Sequence, residues 1–243
     1  MTKKTAIITG ASRGIGKACA IALAKQYSHI AITAYQNKNQ LEEVKQALQY
    51  SGCECISFIG DIGDYHFVAS IIENIIHTWG QIDLLVNNAG ISYIGLLTDM
   101  DVDEWNQIIS TNLTSLFNTC HHTVPHMLSK KQGSIINISS IWGEIGASCE
   151  VAYSATKGGV NAFTKALAKE LAPSQITVNA ICCGIIDTDM NTNLSSHDIE
   201  NICLEISIGR MGTVEEVAQM VVQLANAPSY LTGQCISLDG GWV

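Results

Sequence analysis

Tyr153 and Lys157 stand four residues apart inside a helical pattern, so both side chains leave the helix on one face. A phenol with a pKa of about 10 is a reluctant acid–base group at neutral pH. A neighbouring ammonium, together with a positively charged ring bound beside it, favours the phenolate and lowers that pKa. Ser140 closes a predicted strand upstream and offers a hydroxyl suited to a substrate oxygen that gains charge. The spacing is common taken alone. A tyrosine on a helix surface and a serine ending a strand are the plain structural alternatives.

A second group of residues suits phosphate. Thr9-Gly10-Ala11-Ser12-Arg13-Gly14-Ile15-Gly16 lies between the first β-branched run and the first helical pattern. Gly10 permits a tight turn, Gly14 lets backbone approach a pyrophosphate, and Gly16 lets helix and strand pack closely. The helix N-terminus supplies free N–H groups and partial positive charge. A glycine-rich stretch is weak evidence in isolation and strong evidence in this position.

These residues need a scaffold, and the rest of the chain describes one. Short apolar runs at Thr5–Thr9, Ile30–Ala34, Cys55–Ile59, Leu84–Val86, Ser134–Ser139, Thr177–Ile181 and Cys235–Leu238 read as strands buried on both faces. Between them, Gly16–Gln26, Gln40–Tyr50, His66–Trp79, Val102–Leu128, Val151–Leu171 and Val214–Asn226 read as helices. Pro125 is expected to kink the fourth of these, and Pro173 to help end the fifth. The alternation predicts one α/β domain over residues 1–243: a Rossmann-type, doubly wound parallel sheet of about seven strands with helices on both faces. The stretch 190–209 is the least regular, and reads as a substrate lid or as an ordinary surface helix.

Five motifs in register carry a resemblance. The G-x-x-x-G-x-G loop is followed by Asn87-Asn88-Ala89-Gly90, Asn112, Ser140 and Tyr153-Ser154-Ala155-Thr156-Lys157, and the order holds to Asp239-Gly240-Gly241. The chain thereby resembles the short-chain dehydrogenase/reductase family, and within it bacterial 3-oxoacyl-acyl-carrier-protein reductases. The resemblance implies a nicotinamide-dependent oxidoreductase that reduces a ketone to a secondary alcohol in fatty acid biosynthesis. Tyr153 is then the proton donor, Ser140 holds the substrate oxygen, and Lys157 bonds the nicotinamide ribose. Asn112 holds a water in the proton relay. It also implies cofactor contacts from Gly10, Ser12, Arg13, Gly14, Ile15 and Gly16, from Tyr35, from Asp61 and Ile62 at the adenine, and from Asn88, Ala89 and Gly90. Ile186 and Thr188 contact the carboxamide, although Cys183-Gly184 stands where the family has Pro-Gly. Cys183 is a candidate thiol in the site wall.

NAD-preferring members of such folds place an acid after the second strand. Here the stretch is Thr33-Ala34-Tyr35-Gln36-Asn37-Lys38, without an acid. Arg13 is placed to pair with a 2′-phosphate, with Lys38 assisting, so NADP(H) is the expected cofactor. The expected substrate is a small-molecule or carrier-bound ketone, with acyl-carrier protein as a partner. At the positions of two family arginines stand Lys131, beside Lys130, and Ser174. The segment Ser140–Glu150 departs from those reductases. It looks similar to a subgroup that reduces a ketone on a lysine modification of a bacterial translation elongation factor. Glu144 and Glu150 suit a cationic amine there. A non-catalytic NADP-sensing protein is the alternative of another class, although the full catalytic set is present.

The composition agrees with these expectations. The net charge of −9, from 13 basic and 22 acidic residues, opposes a nucleic-acid partner. No run of 18 apolar residues suggests a membrane span, and the N-terminus reads as a strand rather than a signal peptide. Nine cysteines with no C-x-x-C argue for reduced thiols in a cytoplasmic protein. His122 and His126 share a helix face, but no acidic ligand accompanies them, and no metal is expected. Charged residues are only 14%, consistent with the homotetramer usual in the family.

Overall fold

The computed structural model describes residues 3–192 and 195–243. Seven strands form one sheet: β1 (Thr5–Ile8), β2 (His29–Ala34), β3 (Glu54–Ile59), β4 (Leu84–Asn87), β5 (Gly133–Ser140), β6 (Ile176–Cys183) and β7 (Cys235–Leu238). Their order is β3-β2-β1-β4-β5-β6-β7, and every pair is parallel. The order therefore reverses between β1 and β4, and ligands of such sheets bind beyond the strand ends at that reversal.

The apolar runs explain the layering. Alternate residues of a strand face opposite sides. Ile8, Ile32 and Val86 pack one way, against Leu23, Leu41 and Val221. Ile7, Ala31 and Leu85 pack the other way, against Ile72, Met127 and Leu171. The first layer holds α1 (Gly14–Leu23), α2 (Lys38–Tyr50) and α9 (Val214–Ala225). The second holds α3 (Tyr65–Trp79), α5 (Ser115–Lys130) and α7 (Val151–Leu171). Smaller elements are α4 (Val102–Ile109), α6 (Trp142–Ile145) and α8 (Ser196–Glu205).

Local chemistry sets the helix starts. Asp101 and Glu104 form a capping box on α4, Thr213 and Glu216 one on α9, and Ser195 and Asp198 one on α8. Each satisfies first-turn N–H groups that no helical partner can reach. Asp64, rather than Asp61, caps α3.

One expectation needs correction. The single helix over Val102–Leu128 is two helices joined by a π-helical turn, Ser110–Thr114. The bulge coincides with Asn112, whose side chain bonds a distant loop; such bulges gather at functional sites. The stretch 190–209 contains a capped helix, α8, and Asn193 and Leu194 of that stretch lie outside the described residues. Met190, Asn191 and Ile202 border the main cavity. No helix among the described residues is long and apolar enough to cross a membrane.

Candidate active site

A cavity of about 1110 Å³ opens at the C-terminal ends of the strands. One end is formed by Ser12, Arg13, Tyr35, Asp61 and Ile62. Its middle runs past Gly10, Gly14, Ile15 and the loop Asn88–Gly90. Its far end holds Ser140, Tyr153, Lys157, Cys183, Ile186 and Thr188. The cofactor and catalytic residues read from the sequence are thus brought together along one trough, with three exceptions: Gly16 and Asn112 sit behind its wall, and Lys38 does not line it.

The glycine turn is built for close approach. Gly10 has φ +65° and Gly14 has φ +54°, a region that side chains disfavour. A Cβ on Gly14 would lie 3.5 Å from Thr188 Cγ2, so the two lips of the trough nearly touch there. Arg13, at the cap of α1, makes no side-chain capping bond, which leaves the first-turn N–H groups beside Gly14 and Ile15 available to an anion. A Cβ on Gly16 would collide with the Gly10 carbonyl and come 2.5 Å from Asn88 Nδ2. Asn88 Nδ2 donates to the Thr9 and Gly10 carbonyls at 2.9 and 3.0 Å, so its side chain shapes the turn. Replacing Gly16 by alanine is expected to weaken nicotinamide cofactor binding about tenfold, because the turn itself must shift; fluorescence titration of the reduced cofactor measures it.

At the far end, α7 presents Tyr153 and Lys157 on one face. Lys157 Nζ lies 5.5 Å from the Tyr153 ring centre and donates to the Ile138 carbonyl at 2.9 Å. The Ser140 hydroxyl pulls the Tyr153 pKa down, and both side chains line this end of the trough. The backbone N–H of Trp142 donates to Ser140 Oγ, at 3.2 Å. Asn112 Oδ1 accepts from the Ile91 N–H at 2.8 Å, and its Nδ2 donates to the Ile91 carbonyl and to Thr156 Oγ1. Asn112 therefore pins the loop after β4. A carbon on Gly90 would lie 3.4 Å from Asn112 Oδ1 and 3.6 Å from Lys157 Nζ, so glycine there keeps these two groups in open register.

The expected lowering of the tyrosine pKa is not what the protein alone produces. Burial pushes the phenol upward, the Cys183 thiol adds to this, the Ser140 hydrogen bond opposes it, and Glu150 raises it further. Desolvation wins because the ring is enclosed. Burial also pulls Lys157 down to about 8, against small upward pulls from Cys183 and Cys182. Cys183 does line the wall, but burial pushes its thiol to about 12 and keeps it neutral.

Other expectations separate. Glu150 lines the trough at the cap position of α7, while Glu144 does not line it and accepts from Ser237 Oγ at 3.2 Å. Lys131 precedes β5 and Ser140 ends it, so the strand's eight residues, roughly 26 Å at about 3.3 Å each, keep that lysine from this chain's own site. Ser174 stands likewise before β6. His121 and His122 pack against Tyr65, and the described residues contain no metal-binding group of three. Most thiols are buried, as expected, but Cys182 and Cys235 meet around Asn161, at 3.6 Å from its Oδ1 and 3.8 Å from its carbonyl oxygen.

Sequence reasoning missed two features. Arg13 Nη1 pairs with Asp189 across the trough at 3.3 Å. Trp142 and Trp242 meet edge to face at 5.1 Å beside the catalytic end. Nothing local marks either contact, since the partners are far apart in the chain.

Known proteins resemble this chain along nearly its whole length. The profile of the short chain dehydrogenase family matches residues 4–199. A 3-oxoacyl-[acyl-carrier-protein] reductase of Staphylococcus aureus is 38% identical over 239 residues, 98% of this chain and 97% of that protein. The enzyme of that name from Thermotoga maritima is 38% identical over 241 residues, 99% of this chain and 98% of that one. Among solved structures, a Serratia marcescens short-chain dehydrogenase/reductase double mutant aligns with a TM-score of 0.92 at 30% identity, covering 98% of this chain and 97% of the other. A structure described as a putative short-chain alcohol dehydrogenase from Sinorhizobium meliloti aligns with a TM-score of 0.93 at 33% identity, covering 100% and 97%.

Proposed function

The chain belongs to the short-chain dehydrogenase/reductase family and is an oxidoreductase acting on a C=O/CH–OH pair, and from that premise we propose that it reduces a ketone with NADPH. The observation that carries this reading is the single trough joining the glycine turn at one end to Ser140, Tyr153 and Lys157 at the other. Its length and its donor set suit a dinucleotide: free helix N–H groups at the middle, polar side chains at both ends. A bound nicotinamide supplies the hydride, and its oxidised ring carries positive charge.

The residues divide the remaining work. Ser140 holds the substrate oxygen and Tyr153 gives it a proton. Burial keeps the phenol protonated at neutral pH, which suits donation. Lys157, buried with its Nζ on the Ile138 carbonyl, orients the ribose and passes a proton back to Tyr153. Asn112 fixes the loop at Ile91 and borders the path by which Lys157 is recharged. At the other end Arg13 pairs with a 2′-phosphate, and no acid follows β2 to oppose it. The expected result is a dissociation constant for NADPH at least about tenfold below that for NADH, with the gap closed by Arg13→Ala. Equal affinities in the unaltered protein would remove the NADPH assignment.

The relatives' names support a 3-oxoacyl thioester carried by acyl-carrier protein as the substrate. A specific observation favours a second reading, a protein-borne amino-ketone. The segments framing the catalytic end are 88–112, 140–156 and 184–209, and none contains lysine or arginine. They do contain Asp99, Asp101, Asp103, Glu104, Glu144, Glu150, Asp187, Asp189, Asp198, Glu200 and Glu205. Of these, Glu150 lines the catalytic end, and a carboxylate there attracts a cation and repels an acidic carrier. Assembly as a homotetramer would bring further residues to the mouth and belongs to the proposal.

A further inference from the structure

The ion pair between Arg13 and Asp189 joins residues 176 positions apart and closes over the trough beside the glycine turn. Both residues line the same cavity, at the cap of α1 and just after β6. Both side chains are more than half exposed, 56% and 58%, so either can turn away without unfolding anything. Thr188, the neighbour of Asp189, is the residue that nearly touches Gly14 across the trough. The carboxylate thus reaches Arg13 from the opposite lip, within the space beside the phosphate-binding turn. Among the described residues, the only other acid lining that end of the trough is Asp61, and its Oδ1 is engaged by the Gly63 N–H at 2.7 Å.

We propose that Asp189 is a cofactor-specificity residue: its carboxylate is an internal stand-in for the 2′-phosphate, which must displace it from Arg13. This rests on the NADPH reading and adds a residue of opposite sign to it. The arginine fork carries one strong anion well at a time. A cofactor with a 2′-phosphate gains Arg13 only by breaking the pair, and then faces a nearby carboxylate of like charge. A cofactor with a 2′-hydroxyl leaves the pair intact. Asp189 therefore lowers affinity for NADPH selectively and narrows the preference that Arg13 creates. Release of Asp189 also frees the start of the segment leading to α8, which borders the substrate end through Met190 and Ile202.

The test is direct binding, read by fluorescence of the reduced cofactors, with no ketone present. Asp189→Asn is expected to tighten NADPH about two- to fivefold, the range of an exposed pair, and to leave NADH unchanged. The gain should shrink as salt is raised to about 1 M, where exposed charges are screened. In the Arg13→Ala background the same substitution should have no effect on NADPH beyond its effect on NADH. Unchanged or weakened NADPH binding in Asp189→Asn, with Arg13→Ala still selectively harmful to NADPH, overturns the displacement idea and leaves the NADPH reading standing. If Arg13→Ala spares NADPH, that reading itself fails and Asp189 fails with it. Equal tightening of both cofactors would make Asp189 a general electrostatic brake and also overturns the proposal.

Discussion

Tyr153→Phe is expected to cut ketone reduction by about 10³-fold while NADPH still binds. The phenol is the acid nearest the Ser140 hydroxyl, and its enclosure leaves little room for water to substitute. Phenylalanine keeps the ring and loses one oxygen, so α7 and the trough should keep their shape. The lysine beneath remains on the Ile138 carbonyl and cannot reach across 5.5 Å of ring to replace the lost proton. The direction of the phenol's shift adds a second expectation. A pKa raised by burial keeps Tyr153 protonated through neutral pH, so reduction by the unaltered enzyme should hold steady there and fall only under alkaline conditions. Alcohol oxidation needs the phenolate and should rise with pH over that range. Steady-state rates in both directions, beside fluorescence titration of NADPH, check these points. A Phe variant with a tenth or more of the normal rate would take the proton-donor role from Tyr153.

The parts readable in the sequence share one property: they depend on neighbours in the chain. The glycine turn needs only its own spacing and the strand and helix that flank it. Strand runs such as Leu84–Asn87 are apolar on both faces because helices cover both, and that pattern is local too. Element edges moved by a residue or two where caps decide, as at Asp64. The π-helical turn was hidden because one extra residue in a helical turn barely disturbs apolar periodicity. Its cause, the two bonds from Asn112 to Ile91, is tertiary. The same holds for Arg13 and Asp189, and for the opposite fates of Glu144 and Glu150. Six residues apart in one segment, the two acids look alike in sequence; only the fold sends the first to Ser237 and the second into the trough. The raised phenol pKa of the protein alone has a related cause. The charge of Lys157 is visible in the sequence, but the desolvation that outweighs it is a property of the closed site.

Glu150 is where the two substrate readings part, with an expected effect on the order of 10²-fold. It lines the catalytic end three residues before Tyr153, and its side chain makes no capping bond to α7. Burial raises its pKa, and Trp142 opposes that shift, so the carboxylate is partly stripped of water, and it makes no ion pair among the described residues. An ammonium on the substrate would supply that partner, with Trp142 and Trp242 as the aromatic wall beside it. An acidic carrier would instead meet repulsion. The measurement is NADPH oxidation by a small amino-ketone beside an acetoacetyl thioester, for the unaltered enzyme, Glu150→Gln and Glu150→Lys. If the substrate is cationic, the amino-ketone is favoured, Glu150→Gln loses about tenfold in kcat/KM toward it, and Glu150→Lys loses about 10²-fold, with the thioester unaffected or improved. If the thioester dominates and both variants leave the ratio within about twofold, the carboxylate has no substrate role and the acyl-carrier reading holds despite Glu150.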